Sequence, residues 1–367
     1  MVARQEDQAR GAGKVMNAEE LNAGLSDVRE AHRFDEGALQ AWLRENVPEA
    51  QGPLTVRQFK GGQSNPTFRL DVPGRSFVMR RKPPGVTVPG AHAVDREARV
   101  IGALGKQGFP VPRIYGLCTD DAVIGSWFYV MECVEGRVFW NSRFETVAAE
   151  ERVAYFDAMN ATLAQLHNFD PVALGLDDFG KKGNYFERQI ARWSRQYLSD
   201  EAAGRDPNMD RLIEWLPTNI PAGDESRIVH GDYRADNMVF HPTEPRVAAV
   251  LDWELSTLGH PLADFVNHLM MYRLPPTILS GLRGADFAAL KLMPEEEYIA
   301  AYCRRTGRDG IGHIGFYRAF ALFRLAAIYH GIKARALRGT AASAHAEELA
   351  AQYPLLAQLG WSEAEAA

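Results

Sequence analysis

The spacing of apolar residues changes character twice along this chain, near residue 54 and again near residue 145. Before the first change, Leu39, Trp42 and Leu43 recur at helical spacing and predict a short helix over 36–46. Then come LTVRQF (54–59), TFRLDV (67–72) and SFVMRR (76–81), short segments rich in β-branched and aromatic residues and separated by Gly, Pro and Asn. They predict an antiparallel meander, with FKGGQSNPTF joining the first two strands and VPGR the second and third. Val94, Ala98, Ile101 and Leu104 share one face of 92–108, which predicts a helix stopped by Gly108. WFYVMECVEG (127–136) is an unbroken apolar run ending in glycine, expected to be a strand buried on both faces.

Beyond residue 145 the period becomes helical. Phe156, Leu163 and Leu166 mark a long amphipathic segment over 147–169, and further helices are expected at 186–199, 262–274, 294–306 and 312–338. Between them lie IVHGDYRADNMVF (228–240) and RVAAVLDWE (246–254), short apolar runs bracketing polar residues. The pattern predicts an α+β protein: a polar, unstructured tail (1–33), a small β-rich lobe with one helix (34–135), and a larger helical lobe (136–362). A cleft between lobes is the default place for a ligand.

Composition narrows the function classes. A length of 367 residues fits two lobes, and 46% apolar with 24% charged residues is ordinary for a globular chain. A net charge of −6 gives no electrostatic reason to expect nucleic-acid binding. Cys118, Cys133 and Cys303 are too few and scattered for a disulfide framework or zinc site and read as core residues in a reducing compartment. No apolar run approaches the ~18 residues of a membrane span, and the first twenty residues lack the apolar stretch of a secretory signal. A soluble, cytoplasmic protein without a membrane partner is expected.

The loops carry the chemistry. Asp232 and Asn237 are five apart, and Asp252 follows fifteen residues later at the end of an apolar run. Two carboxylates and an amide brought together by adjacent strands suit Mg²⁺, which takes a few protein oxygens plus substrate phosphates. Asn237 and Asp252 would hold the metal while Asp232 faces the substrate. In the loop between the first two strands, Gly61 and Gly62 let backbone approach a phosphate, and Gln63, Ser64 and Asn65 can donate to it; a plain hairpin turn is the alternative. Arg80, Arg81 and Lys82 end the third strand, and Glu97 lies on the following helix. A strand cation paired with a helix carboxylate can grip nucleotide phosphates, although solvated surface charges would read the same way.

HGDYRADN resembles the H-G-D-x-x-x-x-N catalytic loop of the aminoglycoside phosphotransferase and choline kinase-like group, relatives of the protein kinases. VLDWE stands where protein kinases carry D-F-G, and GHPLADF is similar to that family's G-D-P-x-x-D-L, with His260 in place of the acid. The match runs over roughly residues 50 to 335 in order. More narrowly, GGQSNPTF, FVMRRKPPG, FYVMECVEGR and DWELSTLGHPLADF resemble the phosphotransferase-like domain fused to some acyl-CoA dehydrogenases.

The resemblance implies a bilobal, protein-kinase-like fold that transfers a phosphate from ATP, with Mg²⁺, to a hydroxyl of a small molecule. Asp232 would orient or deprotonate that hydroxyl, Asn237 and Asp252 would bind Mg²⁺, and Arg234 would offset charge on the transferred phosphate. His230 would brace the loop, Asp264 would tie the helix behind it, and the backbones of Glu132 and Val134 would meet adenine. Where the family often has lysine this chain has Arg80, which leaves open which of Arg80, Arg81 and Lys82 grips the phosphates. A nucleotide-binding scaffold without transfer is the alternative reading. A protein kinase is disfavoured, because no A-P-E segment follows and Gly259 comes only seven positions after Asp252. Arg188, Arg192, Arg195, Arg318, Arg324 and Lys333, mixed with aromatic residues on the later helices, suggest an anionic acceptor such as a hydroxyacyl-CoA, with solvated helix faces as the plain alternative.

Overall fold

A computed structural model describes residues 23–61, 65–85, 92–339 and 346–367. Gly62, Gln63 and Ser64 lie outside the described residues. The chain divides into two compact units, one of residues 1–98 with 114–133, the other of 99–113 with 134–367.

The first unit is built on an antiparallel sheet of β1 (Leu25–Ser26), β2 (Thr55–Phe59), β3 (Thr67–Val72), β4 (Arg75–Arg81), β5 (Ile114–Cys118) and β6 (Phe128–Glu132), in the order β1-β2-β3-β4-β6-β5. Gly74, at φ +78, closes the tight turn that sets Val72 opposite Arg75 and Thr67 opposite Arg80. Alternation then sorts the side chains: Phe68, Leu70, Phe77, Met79, Phe128 and Val130 pack with Leu39, Leu43 and Val47 of and beside α1 (Glu36–Asn46). Asp35 caps that helix, its Oδ1 accepting from the Ala38 N–H at 2.9 Å.

Three expectations shift here. The sheet takes in Leu25–Ser26, inside the stretch expected to be an unstructured tail, because these residues pair with Phe59 and Gln58. The run 127–136 is strand only over Phe128–Glu132. VPRIYGLC, not read as an element, supplies edge strand β5. Its register slips between Ile114 and Gly116, and a Cβ at Gly116 would stand 2.9 Å from the Trp42 ring.

The helix expected over 92–108 is α2 (Val94–Gly105). The segment after it belongs with the second unit and not, as expected, with the small lobe. Phe109 packs edge-on against Phe169 and Trp253, and the Pro110 carbonyl accepts the Val250 N–H at 2.8 Å.

The second unit is mainly helical: α3 (Arg152–Asn168), α4 (Tyr185–Ser199), α5 (Pro207–Thr218), α6 (Pro261–Arg273), α7 (Glu295–Thr306), α8 (Ile314–Leu337) and α9 (Ala346–Glu365). Neither α5 nor α9 is anticipated by the apolar spacing. Helix α9 lies along α8 and α5; a Cβ at Gly360 would stand 3.1 Å from Leu212 Cδ1 and 3.3 Å from Leu322 Cβ, so the small residue permits close approach. Two antiparallel strand pairs are set among the helices: β7 (Arg227–Val229) with β10 (Thr257–Gly259), and β8 (Met238–Phe240) with β9 (Val247–Val250). These pairs fix both ends of the polar loop 230–237. Among the described residues no helix is long and apolar enough to cross a membrane.

Candidate active site

In the first unit, strand alternation decides among the three cations. Arg80 turns to the face where Glu97 lies, its Nε 3.0 Å from Glu97 Oε2, with both side chains buried. Arg81 points the opposite way, donating to Ser126 Oγ (2.6 Å) and the Ile124 carbonyl (2.9 Å) with its guanidinium over the Phe34 ring. Burial lowers its pKa. Lys82 lies over the Trp127 ring, 4.8 Å from its centroid. Arg80 is therefore the cation paired with the helix carboxylate.

Glu97 is held from three sides. Asn65 Nδ2 donates to Oε1 at 2.9 Å, and the Tyr129 hydroxyl donates to Oε2 at 3.1 Å. Asn65 Oδ1 meets His92 Nδ1 at 2.8 Å, so its amide is used on both sides. Asn65, expected as a phosphate donor, instead positions Glu97. Gly61 follows the end of β2, and Glu132 closes β6 as an exposed residue opposite Phe77. Val134 is the first residue of the second unit after that strand.

In the second unit, the loop after β7 is clamped by Asp264 from α6. Its carboxylate accepts the backbone N–H groups of His230 (2.7 Å) and Gly231 (2.9 Å), and His167 Nε2 lies 3.3 Å from Oδ2. Burial pushes the Asp264 pKa up, but the hydrogen bond and charge of His167, with His230, hold it below its ordinary value. Gly231, at φ +86, has no room for a side chain: a Cβ would stand 2.8 Å from the Leu255 carbonyl oxygen. The His230 ring takes one proton by this network, with Nε2–H donating to the Leu251 carbonyl (2.8 Å) and Nδ1 accepting the Asp232 N–H (3.2 Å).

Asn237 ends the short turn Ala235–Asn237, and its Nδ2 donates to the Asp232 carbonyl (2.9 Å) and carboxylate Oδ2 (3.1 Å). The other carboxylate oxygen of Asp232 lies 3.6 Å from Arg234 Nε. Arg234 Nη2 binds Asp236 at 2.6 Å, which gives Asp236 the role that sequence reading left unassigned. Burial opposes both charges of this pair; it raises the Asp236 pKa, while Asp236 and Asp232 keep that of Arg234 high. Leu251 N–H donates to the Asn237 carbonyl at 2.8 Å, so the residue before Asp252 is bonded to both ends of the loop. Asp252 itself is not in extended strand; it sits at φ +64, ψ +62, after β9 has ended at Val250. That left-handed turn is accessible to Asp and swings the carboxylate out of the strand direction.

The donor set fits Mg²⁺. With Nδ2 of Asn237 turned to Asp232, its Oδ1 is the atom that would meet a hard cation, and the Asp252 carboxylate would supply a further oxygen. Among the described residues no group of three or more His, Cys, Asp or Glu side chains is placed to hold a metal ion.

The basic residues expected to meet an acceptor separate into two classes. Arg318 is paired with Glu295 (2.7 Å) and Lys333 donates to the Ala203 carbonyl (2.7 Å), so both serve the fold. Arg188, Arg192, Arg195 and Arg324 make no such pair with a carboxylate among the described residues. Arg324 donates to the Gly231 carbonyl at 2.9 Å, a link to the loop 230–237 that its position 93 residues away concealed. His260, in place of the family acid, still caps α6: its Nδ1 accepts the Leu262 N–H at 3.3 Å. Burial lowers its pKa to about 4, so the capping lone pair persists at neutral pH.

Comparison with known proteins agrees with this geometry. Residues 55–320 match the phosphotransferase enzyme family. The chain is 44% identical over 350 residues to acyl-CoA dehydrogenase family member 11 of Gallus gallus, covering 93% of this chain and 45% of that protein. It spans less than half the length of the curated relatives it matches. A crystal structure from Ralstonia eutropha, described as a candidate aminoglycoside phosphotransferase, is 48% identical with a TM-score of 0.83, over 91% of this chain and 99% of that one. A thermostable mutant aminoglycoside phosphotransferase in ternary complex with AMP-PNP and hygromycin B shares the fold at 14% identity (TM-score 0.58; 89% and 98% covered). The protein-kinase-like α+β fold expected from the motifs is thus the fold observed, and the chain belongs to the phosphotransferase enzyme family.

Proposed function

We propose that this protein is a small-molecule kinase that transfers the γ-phosphate of ATP to the hydroxyl of an anionic metabolite such as a hydroxyacyl-CoA, in the cytoplasm. The carrying observation is Leu251, whose N–H and carbonyl bond Asn237 and His230 and so bring Asp232, Asn237 and Asp252 to one end of two strand pairs. Asp232 accepts the hydroxyl proton, its carboxylate aimed by the Asn237 amide. Arg234, steadied by Asp236, offsets charge on the phosphoryl group. Asn237 and Asp252 would hold Mg²⁺, which supplies charge neutralisation on the phosphates when bound. In the first unit, Arg80 and Glu97 serve the donor phosphates with Gly61, Gly62, Gln63 and Ser64, and the backbones of Glu132 and Val134 serve adenine. Phosphoryl transfer asks mainly for positioning and charge stabilisation, which these groups supply. The AMP-PNP complex of the fold neighbour and the acyl-CoA dehydrogenase names of the relatives support donor and acceptor class.

The test is ATP consumption over a panel of hydroxyacyl-CoA esters, hydroxy acids and aminoglycosides, with wild type and Asp232→Asn. The variant should bind ATP–Mg²⁺ in a thermal-shift assay like wild type and lose turnover. Retention of more than about a tenth of the rate would remove Asp232 from the role of base. Nucleotide binding without consumption on any acceptor would favour the scaffold reading.

A further inference from the structure

We infer that Tyr185, Arg188, Arg192 and Arg324 form a subsite for an anionic oxygen group of the acceptor, placed beside the catalytic loop. This rests on the phosphotransfer reading above for the identity of the ligand as an acceptor.

Tyr185, Arg188 and Arg192 are at positions i, i+3 and i+7 of α4 and share one face. The Tyr185 ring anchors that face to the strands that carry the loop: a Cβ at Gly259 would stand 2.8 Å from Tyr185 Cε2, and Gly259 pairs with Arg227 in β7, which runs straight into His230. From α8, Arg324 reaches the same place and donates Nη2 to the Gly231 carbonyl, one residue before Asp232. Burial raises the Tyr185 pKa, with the Asp264 carboxylate in the same direction and the charges of Arg324, Arg188 and Arg192 opposing, so its hydroxyl remains a donor.

Charge balance separates these arginines from five others of this unit. Arg273 and Arg318 share Glu295, Arg305 binds Asp157, Arg308 binds Glu225 and Arg338 binds Asp200. By contrast Arg188 holds only the Lys181 carbonyl (2.8 Å), Arg192 lies over the Trp193 ring (5.0 Å), and Arg324 holds the Gly231 carbonyl, among the described residues. Three guanidinium groups oriented by neutral partners have no carboxylate set against them among the described residues and keep planar donor edges. Carboxylate and phosphate oxygens are the ligands that match such edges in pairs. Lys181 and Lys182, just before α4, add to the same sign. An aminoglycoside, which is cationic, would be repelled here.

The geometry also bounds the ligand. A guanidinium bonded to the carbonyl next to Asp232 holds the anion within about 10 Å of the reacting hydroxyl, given ~3.8 Å per residue along the chain. That distance suits the carboxylate of a hydroxy acid itself or a phosphate folded back from a thioester, and binding separates the two. The probes are hexanoate, hexanoyl-CoA and the neutral methyl hexanoate, which need no turnover, titrated calorimetrically into wild type and into the double variant Arg188→Gln/Arg192→Gln.

Wild type should bind one charged probe at least ~10-fold more tightly than the methyl ester, and the double variant should lose that preference. Preference for hexanoate assigns a carboxylate, and preference for hexanoyl-CoA assigns the phosphates of the CoA moiety. A charge preference that survives in the double variant, or none in wild type, overturns the subsite. Arg192 is exposed and Arg188 half-buried on α4, and an unchanged unfolding midpoint shows that the variant is folded. Because the readout is binding, a wild type that discriminates by charge yet transfers no phosphate would fail the kinase reading alone.

Discussion

The carbonyl of Leu251 accepts the Nε2–H of His230 at 2.8 Å, across 21 residues of sequence. The other ring nitrogen of His230 accepts the Asp232 N–H, so one imidazole ties the loop 230–237 to the residue preceding Asp252. His230→Leu removes both bonds and leaves a half-buried carbonyl and an N–H unmatched, at about 1–3 kcal/mol each. The expected outcome is a fall in kcat of about 100-fold with the KM for ATP within about three-fold, because Asp232 and Asp252 lose their relative position while Arg80 and Glu97 are untouched. Steady-state kinetics with both substrates varied checks it; a pure KM effect would show that His230 does not set this position.

Asp264 holds the other side of the loop. Asp264→Asn leaves one acceptor oxygen where two backbone N–H donors converge, and turns an NH₂ group toward the second. Charged hydrogen bonds of this kind contribute about 1.5–3 kcal/mol each, so the variant should lose roughly 3 kcal/mol in urea unfolding, along with most of its turnover. Wild-type stability in Asp264→Asn would mean that the loop holds its shape without the carboxylate.

Arg80 and Glu97 should depend on each other. Glu97→Gln leaves the buried Arg80 charge without this carboxylate, and Arg80→Met leaves the buried Glu97 carboxylate without this guanidinium, so each single variant should lose about 3–5 kcal/mol in stability and raise the ATP KM at least ~10-fold. The double variant Arg80→Met/Glu97→Gln buries neither charge and should unfold nearer the wild-type midpoint than either single variant, while keeping the loss of ATP affinity. Paired denaturation and kinetic measurements separate the two effects. A double variant destabilised by the sum of the two single losses would contradict the ion-pair account.

The polar loop was legible because its residues are local: His230, Asp232, Arg234, Asp236 and Asn237 lie within eight residues. What the sequence concealed was non-local. Arg318 and Lys333 look as available as Arg324 in the chain, and only packing brings Glu295 and the Ala203 carbonyl to them. Asn65 reads as a phosphate donor until β3, α2 and His92 converge on its amide. Missed elements have local causes. Pro217 and Pro354 interrupt the helical pattern of α5 and α9, and Gly116 breaks the strand signal in IYGLC, yet in each case tertiary packing overrides propensity. The choice of Arg80 over Arg81 was within reach, since strand alternation alone puts them on opposite faces.

Acid should unfold this protein partly through two buried imidazoles. Burial lowers the pKa of His260 and of His268 from 6.5 to about 4. His268 bridges the Tyr233 carbonyl (2.9 Å) and the Tyr298 hydroxyl (2.6 Å), and His260 caps α6 through the lone pair on Nδ1. Between pH 6.5 and 4 the unfolded chain binds protons that the folded one refuses, so each histidine contributes stability that is complete above 6.5 and is lost as pH falls toward 4. In that window each lowers the unfolding free energy by about 1.4 kcal/mol per pH unit, a few kcal/mol in total. His260→Asn keeps an oxygen to cap the helix and removes one titration. Its unfolding free energy, measured in urea from pH 7 to 4.5, should fall less steeply than wild type by about one proton's worth. Carboxylates titrate in both proteins and cancel in the comparison, so an unchanged slope would mean that His260 takes up its proton equally well in the fold.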